Sequence, residues 1–165
     1  MRPLHVYVET SVFGFVLDES EFNRAKREAT DRLFEQIEDG RLAGHVSALV
    51  LGELLQTPHA PAREAFLEIA RRLVLLPEPD ERELDFLAGL YMHRRAFPPE
   101  KRDDAMHVAF IVLTPGLDAM VTWNCRHLAN ESNRRYLRAL TLAEGYPFNF
   151  DIITPEEALV YERPE

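Results

Sequence analysis

Short apolar segments alternate along the chain with longer segments in which apolar residues recur every three or four positions. Residues 4–8 are rich in β-branched and apolar side chains, which predicts a buried strand that ends at Glu9. Over residues 21–39 the apolar positions follow the helical period until Gly40, which predicts a helix. The same criteria predict strands over residues 44–46, 73–76, 119–122 and 151–153, and helices over residues 48–56, 61–72, 79–95, 101–113 and 134–144, with a further helix after Thr154.

The alternation of predicted strands and helices indicates an α/β protein. Short strands joined by helices favour a central, mostly parallel sheet covered on both faces, and 165 residues suit a single domain over residues 1–165. Such sheets bind ligands outside the carboxyl ends of their strands. Acids that follow the strands directly are therefore the first candidates for a functional site.

The charge balance bears on the type of ligand. The chain has 19 basic and 28 acidic residues and a formal net charge of −9, which repels a polyanion at long range. A nucleic-acid substrate would need divalent cations at the site, or a local basic surface such as Arg94, Arg95, Lys101 and Arg102. An ordinary solvated surface explains these four residues equally well.

The single cysteine and the lengths of the apolar segments exclude other classes. Cys125 is the only cysteine, so an intramolecular disulfide or a thiolate metal cluster within one chain is excluded. Residues 105–113 are too few to span a bilayer, and Glu9 interrupts the apolar start of the chain. We expect a cytoplasmic protein without a membrane anchor.

Three acids from separate segments form the candidate site. Glu9 ends the first predicted strand, Glu53 lies among apolar residues of a predicted helix, and Asp104 lies in the first turn of another helix, with Asp103 as the adjacent alternative. Each acid also has a structural explanation, as a cap, an ion-pair partner or a group that complements the helix dipole. Converging carboxylates repel one another unless a cation lies between them, and Mg²⁺ or Mn²⁺ prefers such oxygen ligands. The predicted chemistry is metal-assisted phosphodiester hydrolysis.

Five segments resemble, in order, the motifs of PIN-domain proteins, and in particular the VapC-like ribonucleases that are commonly toxins paired with an antitoxin. The segments are residues 6–12 (VYVETSV), 47–53 (SALVLGE), 104–109 (DAMHVA), 121–128 (VTWNCRHL) and 153–157 (ITPEE).

The resemblance implies a PIN-like three-layer α/β/α fold and a ribonuclease site. Glu9, Glu53 and Asp104 would hold Mg²⁺ or Mn²⁺, and Asn124 would be the fourth catalytic residue. Glu9 is longer than the aspartate more usual at the first position, and Asn124 offers an oxygen without a charge. Thr10, Ser11 and Arg102 are the candidate substrate contacts. RNA, a cognate antitoxin and a second copy of the chain, docked through exposed apolar residues of the early helices, are the expected partners.

Other notable side chains have simpler explanations. We favour a hydrogen-bonded structural role for His107 and packing roles for Trp123 and Cys125. For His127, phosphate contact and a structural role in helix capping or packing are equally plausible. A catalytically weak PIN-like binding module is the alternative function. A phosphatase or nucleotide-binding enzyme is disfavoured, because the first strand leads into Glu-Thr-Ser and not into a glycine-rich phosphate loop.

Overall fold

Five strands and seven α-helices alternate in a computed structural model of the chain, which describes residues 2–161. The predicted α/β fold class is confirmed. The strands are β1 (Leu4–Val8), β2 (Leu42–Val46), β3 (Val74–Leu75), β4 (Ala119–Val121) and β5 (Asp151–Ile153). The helices are α1 (Arg24–Glu38), α2 (Ala48–Leu55), α3 (Ala60–Arg71), α4 (Glu81–His93), α5 (Arg102–Val112), α6 (Glu131–Ala143) and α7 (Pro155–Val160).

Three details differ from the prediction. Residues Thr10–Leu17 form a 3-10 helix, although their sequence has no clear helical period, and Glu21–Asn23 form a second 3-10 helix before α1. The strand β2 begins two residues earlier than predicted. The helix α6 begins at Glu131 because the side chain of Asn130 accepts a hydrogen bond from the backbone of Asn133 and so caps the helix three residues upstream of the predicted start.

The sheet is parallel throughout, with the strand order β3-β2-β1-β4-β5. The central strand β1 pairs with β2, where Tyr7 is opposite His45, and with β4, where Val8 is opposite Val121. The chain therefore moves outward from β1 to β3 and then crosses to the other side of β1 to form β4. This reversal makes the gap between β1 and β4 the topological switch point, where doubly wound sheets bind ligands.

Helices cover both faces of the sheet. The helix α1 packs against α7 and the first 3-10 helix, while α4 packs against α5 and α6. Because β-α-β crossovers are right-handed, the connections up to β3 lie on one face and those that lead to β4 and β5 lie on the other. The architecture is a three-layer α/β/α arrangement.

The core is densest around β1 and α5. Val6, Tyr7 and Val8 are fully buried, as expected for a central parallel strand with helices on both sides. Most of α5 is buried as well. A Cβ at Gly44, in β2, would lie 2.9 Å from side-chain atoms of Ile37 and Leu73, which explains a glycine inside a strand. No helix within residues 2–161 has both the length and the apolar character to cross a membrane.

Candidate active site

Glu9 leaves β1 at its carboxyl end and is 5% exposed. Its Oε2 accepts hydrogen bonds from the backbone N–H of Ser11 at 2.7 Å and from the hydroxyl of Thr122 at 3.2 Å. The carboxylate thus caps the first 3-10 helix, which is one of the structural roles considered for it. Burial raises the pKa of Glu9, and the charge of Glu53 adds to the rise, against the opposing effects of His107 and Ser11.

Hydroxyl groups join the ends of β1 and β4 beside Glu9. The Ser11 hydroxyl lies 3.2 Å from that of Thr122 and accepts a hydrogen bond from the backbone of Trp123. The Thr122 hydroxyl accepts another from the backbone of Asn124 at 3.0 Å. The Thr10 hydroxyl is buried and has no hydrogen-bond partner among residues 2–161. Of the two predicted hydroxyl contacts, Ser11 therefore holds the local backbone, and Thr10 does not present its hydroxyl to solvent.

Asp104 and Asn124 meet at the switch point. Asp104, in the first turn of α5, is 9% exposed, and its Oδ2 accepts a hydrogen bond from Nδ2 of Asn124 at 3.1 Å. Oδ1 of Asn124 in turn accepts from the backbone of His127 at 3.0 Å. Burial raises the pKa of Asp104, and the bond from Asn124 and nearby positive charges only partly oppose it. The neighbouring Asp103 is exposed, so Asp104 is the acid that faces the other predicted site residues.

Glu53 is bound to the buried imidazole of His107. Its side chain, on α2, is 32% exposed, and Oε1 is hydrogen-bonded to Nε2 of His107. Nδ1 of His107 lies 2.7 Å from the hydroxyl of Tyr7, which lies 2.7 Å from the hydroxyl of Ser47. Ser47 caps α2 by accepting a hydrogen bond from the backbone of Val50. These hydrogen bonds form a continuous chain from Ser47, at the start of α2, to Glu53 on the next turn of the same helix.

His107 is the basic centre of this acidic site. Burial lowers its pKa, but the bond to Glu53 and the charges of Glu9, Glu53 and Asp104 together raise it above its ordinary value. The prediction that His107 is hydrogen-bonded is confirmed, and one of its partners, Glu53, is a predicted metal ligand. In the sequence, the feature that relates His107 to the site is its position one helical turn after Asp104.

The donor chemistry of the three carboxylates suits a hard divalent cation. Every hydrogen bond that they accept within residues 2–161 goes to one oxygen of each: Oε2 of Glu9, Oε1 of Glu53 and Oδ2 of Asp104. Over the same residues, no group of three or more His, Cys, Asp or Glu side chains is arranged to hold a metal ion. The residues therefore fit a cation that is held by one or two carboxylates and completed by water and phosphate, as is usual for Mg²⁺, and not a preformed cage of three acids.

The remaining candidates lie outside this centre. Arg102 is exposed and lies 3.6 Å from Asp85 in an ion pair. Trp123 is buried and its indole N–H donates a hydrogen bond to Thr30, which confirms its predicted place in the core. The predicted packing role of Cys125 is wrong, because the thiol is exposed in the turn after β4.

Comparison with known proteins does not identify a relative. No protein-family model matches the sequence, and no curated protein matches it. The functional argument therefore depends on the site itself. Acids from β1, α2 and α5, with an amide from the end of β4, meet at the carboxyl edge of a parallel sheet.

Proposed function

We propose that the protein is a divalent-metal-dependent endoribonuclease that hydrolyses RNA phosphodiester bonds, with Glu9, Glu53, Asp104 and Asn124 as its active-site residues. The supporting observation is the hydrogen bond between Glu53 and His107, together with the negative charges of Glu9, Glu53 and Asp104 that raise the pKa of His107. One oxygen of each carboxylate accepts no hydrogen bond from residues 2–161. Buried acids such as Glu9 and Asp104 are costly without a nearby cation. The similarity of the flanking segments to PIN-domain motifs supports the same assignment.

Glu9, Glu53 and Asp104 are the residues from which Mg²⁺ or Mn²⁺ would take its one or two carboxylate ligands. The bound ion would stabilise charge on the phosphate oxygens and lower the pKa of a water so that it can act as the nucleophile. Burial raises the pKa values of Glu9 and Asp104, and a bound cation would oppose this effect by favouring their ionised forms.

The chain's own residues orient these ligands. Ser11 and Thr122 fix Oε2 of Glu9, and Asn124 fixes Oδ2 of Asp104. His107 holds one oxygen of Glu53 from the protein interior. The unbonded oxygens remain for the cation, so little rearrangement is needed when RNA supplies a phosphate.

A metal-titrated RNA cleavage assay with three proteins tests the proposal: the wild type, Asp104→Asn and Asp103→Asn. The last two lose the same charge from adjacent positions, but only Asp104 faces Asn124. We expect Asp104→Asn to lower the metal-dependent rate by at least about 100-fold, since groups that act electrostatically at a reacting centre commonly contribute about 10²–10³. Asp103→Asn should cleave at nearly the wild-type rate.

Equal rates for the wild type and Asp104→Asn would show that another site, or a contaminating nuclease, cleaves the RNA. A rate in the presence of a chelator equal to that with Mg²⁺ would exclude the metal dependence. Circular dichroism of both variants is the check that a loss of rate does not reflect a loss of fold.

A second candidate function is a PIN-like module that binds RNA or a protein without turnover. Two observations favour it. Glu53 is paired with His107, and no group of three or more His, Cys, Asp or Glu side chains within residues 2–161 is arranged to hold a metal ion. This candidate predicts RNA binding by the wild type and no metal-dependent product at any Mg²⁺ or Mn²⁺ concentration. Metal-dependent cleavage that is lost in Asp104→Asn would reject it.

The biological setting that we propose follows from the PIN resemblance: a cytoplasmic VapC-like toxin with a cognate antitoxin, acting as a homodimer. Exposed apolar residues near the start of the chain support the dimer. Leu17, at the end of the first 3-10 helix, is 48% exposed, and Phe22, in the second 3-10 helix, is 95% exposed. A monomeric mass in solution at high protein concentration would contradict the dimer. A neighbouring gene for a small partner protein is the observation expected for a toxin.

A further inference from the structure

A cleft adjoins the candidate active site at the carboxyl end of α4. Its volume is about 840 Å³, and Met92, His93, Arg95, Phe97, Pro98 and His127 are among the residues that line it. The volume lies within the range of roughly 300–1,000 Å³ that is usual for ligand sites. The lining combines aromatic, thioether and proline residues with an arginine and two histidines.

Arg95 adopts an unusual backbone conformation at this cleft. Its φ is 57°, and it is the single non-glycine residue with positive φ among residues 2–161; the other such positions are Gly40, Gly116 and Gly145. Arg95 is the second residue after α4, where its N–H donates to the carbonyl of Met92 and the N–H of Ala96 donates to the carbonyl of Tyr91. Glycine is the usual residue at this position of a helix end, because a Cβ is unfavourable there. An arginine at this position lowers the stability of the helix end, but it places a guanidinium at the cleft.

The charge of Arg95 is available to a ligand. Arg95 forms no salt bridge within residues 2–161, in contrast to Arg102, which is paired with Asp85. The cleft is also connected to the active site, because the backbone of His127 donates a hydrogen bond to Asn124, which binds Asp104.

We propose that this cleft is the subsite that binds RNA next to the cleaved bond and that the guanidinium of Arg95 binds a phosphate there. This inference rests on the proposed ribonuclease function. A guanidinium matches a phosphate in a two-pronged hydrogen-bonded geometry, and the apolar lining can pack against a base. On a chain with a net charge of −9, a local positive group is needed to retain a polyanion. Arg95 is thus a substrate-binding residue, and RNA binding explains its strained conformation.

Equilibrium binding of a labelled, short single-stranded RNA in EDTA tests this inference in the absence of cleavage. The proteins are the full-length wild type, Arg95→Gly, Arg95→Lys and, as a control for charge, Arg32→Gln. Arg32 is exposed on α1, across the sheet from the cleft, and loses the same single positive charge. Fluorescence anisotropy at several KCl concentrations gives both the affinity and its dependence on salt, and thermal unfolding gives the stability of each variant.

We expect Arg95→Gly to bind RNA about 5- to 10-fold more weakly, with the slope of log affinity against log salt reduced by about 0.7, the value for one lost phosphate contact to a single strand. Its melting temperature should equal or exceed that of the wild type, since glycine relieves the unfavourable φ. Arg95→Lys should keep the wild-type salt slope. Arg32→Gln should match the wild type in both affinity and slope.

Wild-type affinity and salt slope in Arg95→Gly would overturn the subsite, even if metal-dependent cleavage by the wild type supports the ribonuclease. The absence of measurable RNA binding by the wild type would also overturn it. Conversely, Arg95-dependent RNA binding without metal-dependent cleavage would support the cleft and reject the proposed enzyme. The two proposals therefore fail in different experiments.

Discussion

The hydroxyl of Tyr7 lies 2.7 Å from Nδ1 of His107, whose other ring nitrogen is hydrogen-bonded to Glu53. Tyr7 is fully buried in the central strand, so the orientation of an acid near the surface is linked to the core of the sheet. Burial raises the pKa of Tyr7 well above its ordinary value, and the charges of Glu9 and Glu53 add to this rise. The phenol therefore stays neutral and acts as a fixed hydrogen-bonding group.

Tyr7→Phe should remove this link without changing the shape of the core. The hydroxyls of Tyr7 and Ser47 are 2.7 Å apart, so the substitution also removes a partner of the residue that caps α2. We expect the free energy of unfolding to fall by about 1–3 kcal/mol, the usual cost of leaving buried polar groups unsatisfied. Because outer partners orient metal ligands, metal-dependent cleavage should also fall by roughly 10- to 100-fold. Urea unfolding and the cleavage assay measure the two effects.

Tyr91→Phe is the matched control. Tyr91 is also fully buried, and its hydroxyl is hydrogen-bonded to Thr141, which lies on α6 and not in the candidate site. This variant should lose stability in a similar way but cleave RNA at the wild-type rate when folded. If the two variants lost activity equally, the loss would be a consequence of lower stability, and the chain from Tyr7 to Glu53 would have no special role.

Acidic pH should stabilise the metal-free protein relative to the Asp104→Asn variant. The pKa of Asp104 is raised in the folded state by burial. Protonation of Asp104 therefore stabilises the folded state. This contribution to the free energy of unfolding is fully present below the pKa of the unfolded state, about 3.9, and is lost as the pH rises through the pKa of the folded state. Asp104→Asn keeps a neutral group at every pH. In EDTA, the variant should melt at a higher temperature than the wild type near neutral pH, and the difference should shrink as the pH falls.

Asp103→Asn, which changes an exposed acid, separates this effect from a general change in net charge. The melting temperature of the wild type and that of Asp103→Asn should follow nearly parallel curves against pH. A constant difference between the wild type and Asp104→Asn over the whole pH range would contradict the raised pKa of Asp104.

The sequence predicted those parts of the site that depend on local pattern. Glu9 and Asn124 follow apolar strands, and parallel strands bring such positions to one edge, so their proximity could be expected. The pairing of Glu53 with His107 joins residues 54 positions apart on two helices, and no pattern within either helix reports it. The exposure of Cys125 also depends on tertiary structure, since a tight turn after β4 directs its side chain outward.

The positive φ of Arg95 could not be predicted for a related reason. Helix ends in the left-handed conformation are usually indicated by glycine, as at Gly40 and Gly145, whereas arginine gives no such signal. The end of α4 was expected near this residue because of the prolines that follow. The conformation itself becomes evident only from the backbone.

Asn124→Asp should convert a hydrogen bond into a repulsion that a cation relieves. In the wild type, Nδ2 of Asn124 donates to Asp104 at 3.1 Å, and an aspartate would bring two carboxylates to that distance. Without metal, we expect the free energy of unfolding to fall by about 1–3 kcal/mol, because a buried acceptor loses its donor. With Mg²⁺ or Mn²⁺, the rise in melting temperature should exceed that of the wild type, because the added charge strengthens binding to the folded state.

Asn130→Asp adds the same charge at the N-cap of α6, where aspartate and asparagine cap equally well, and it should leave the metal-induced rise at the wild-type value. A metal-induced rise in Asn124→Asp that is no larger than in Asn130→Asp would mean that Asp104 and Asn124 do not adjoin a cation. Thermal unfolding over a titration of each metal, with EDTA as the reference, distinguishes the two results. Since this measurement needs no RNA, it tests the metal assignment independently of the substrate.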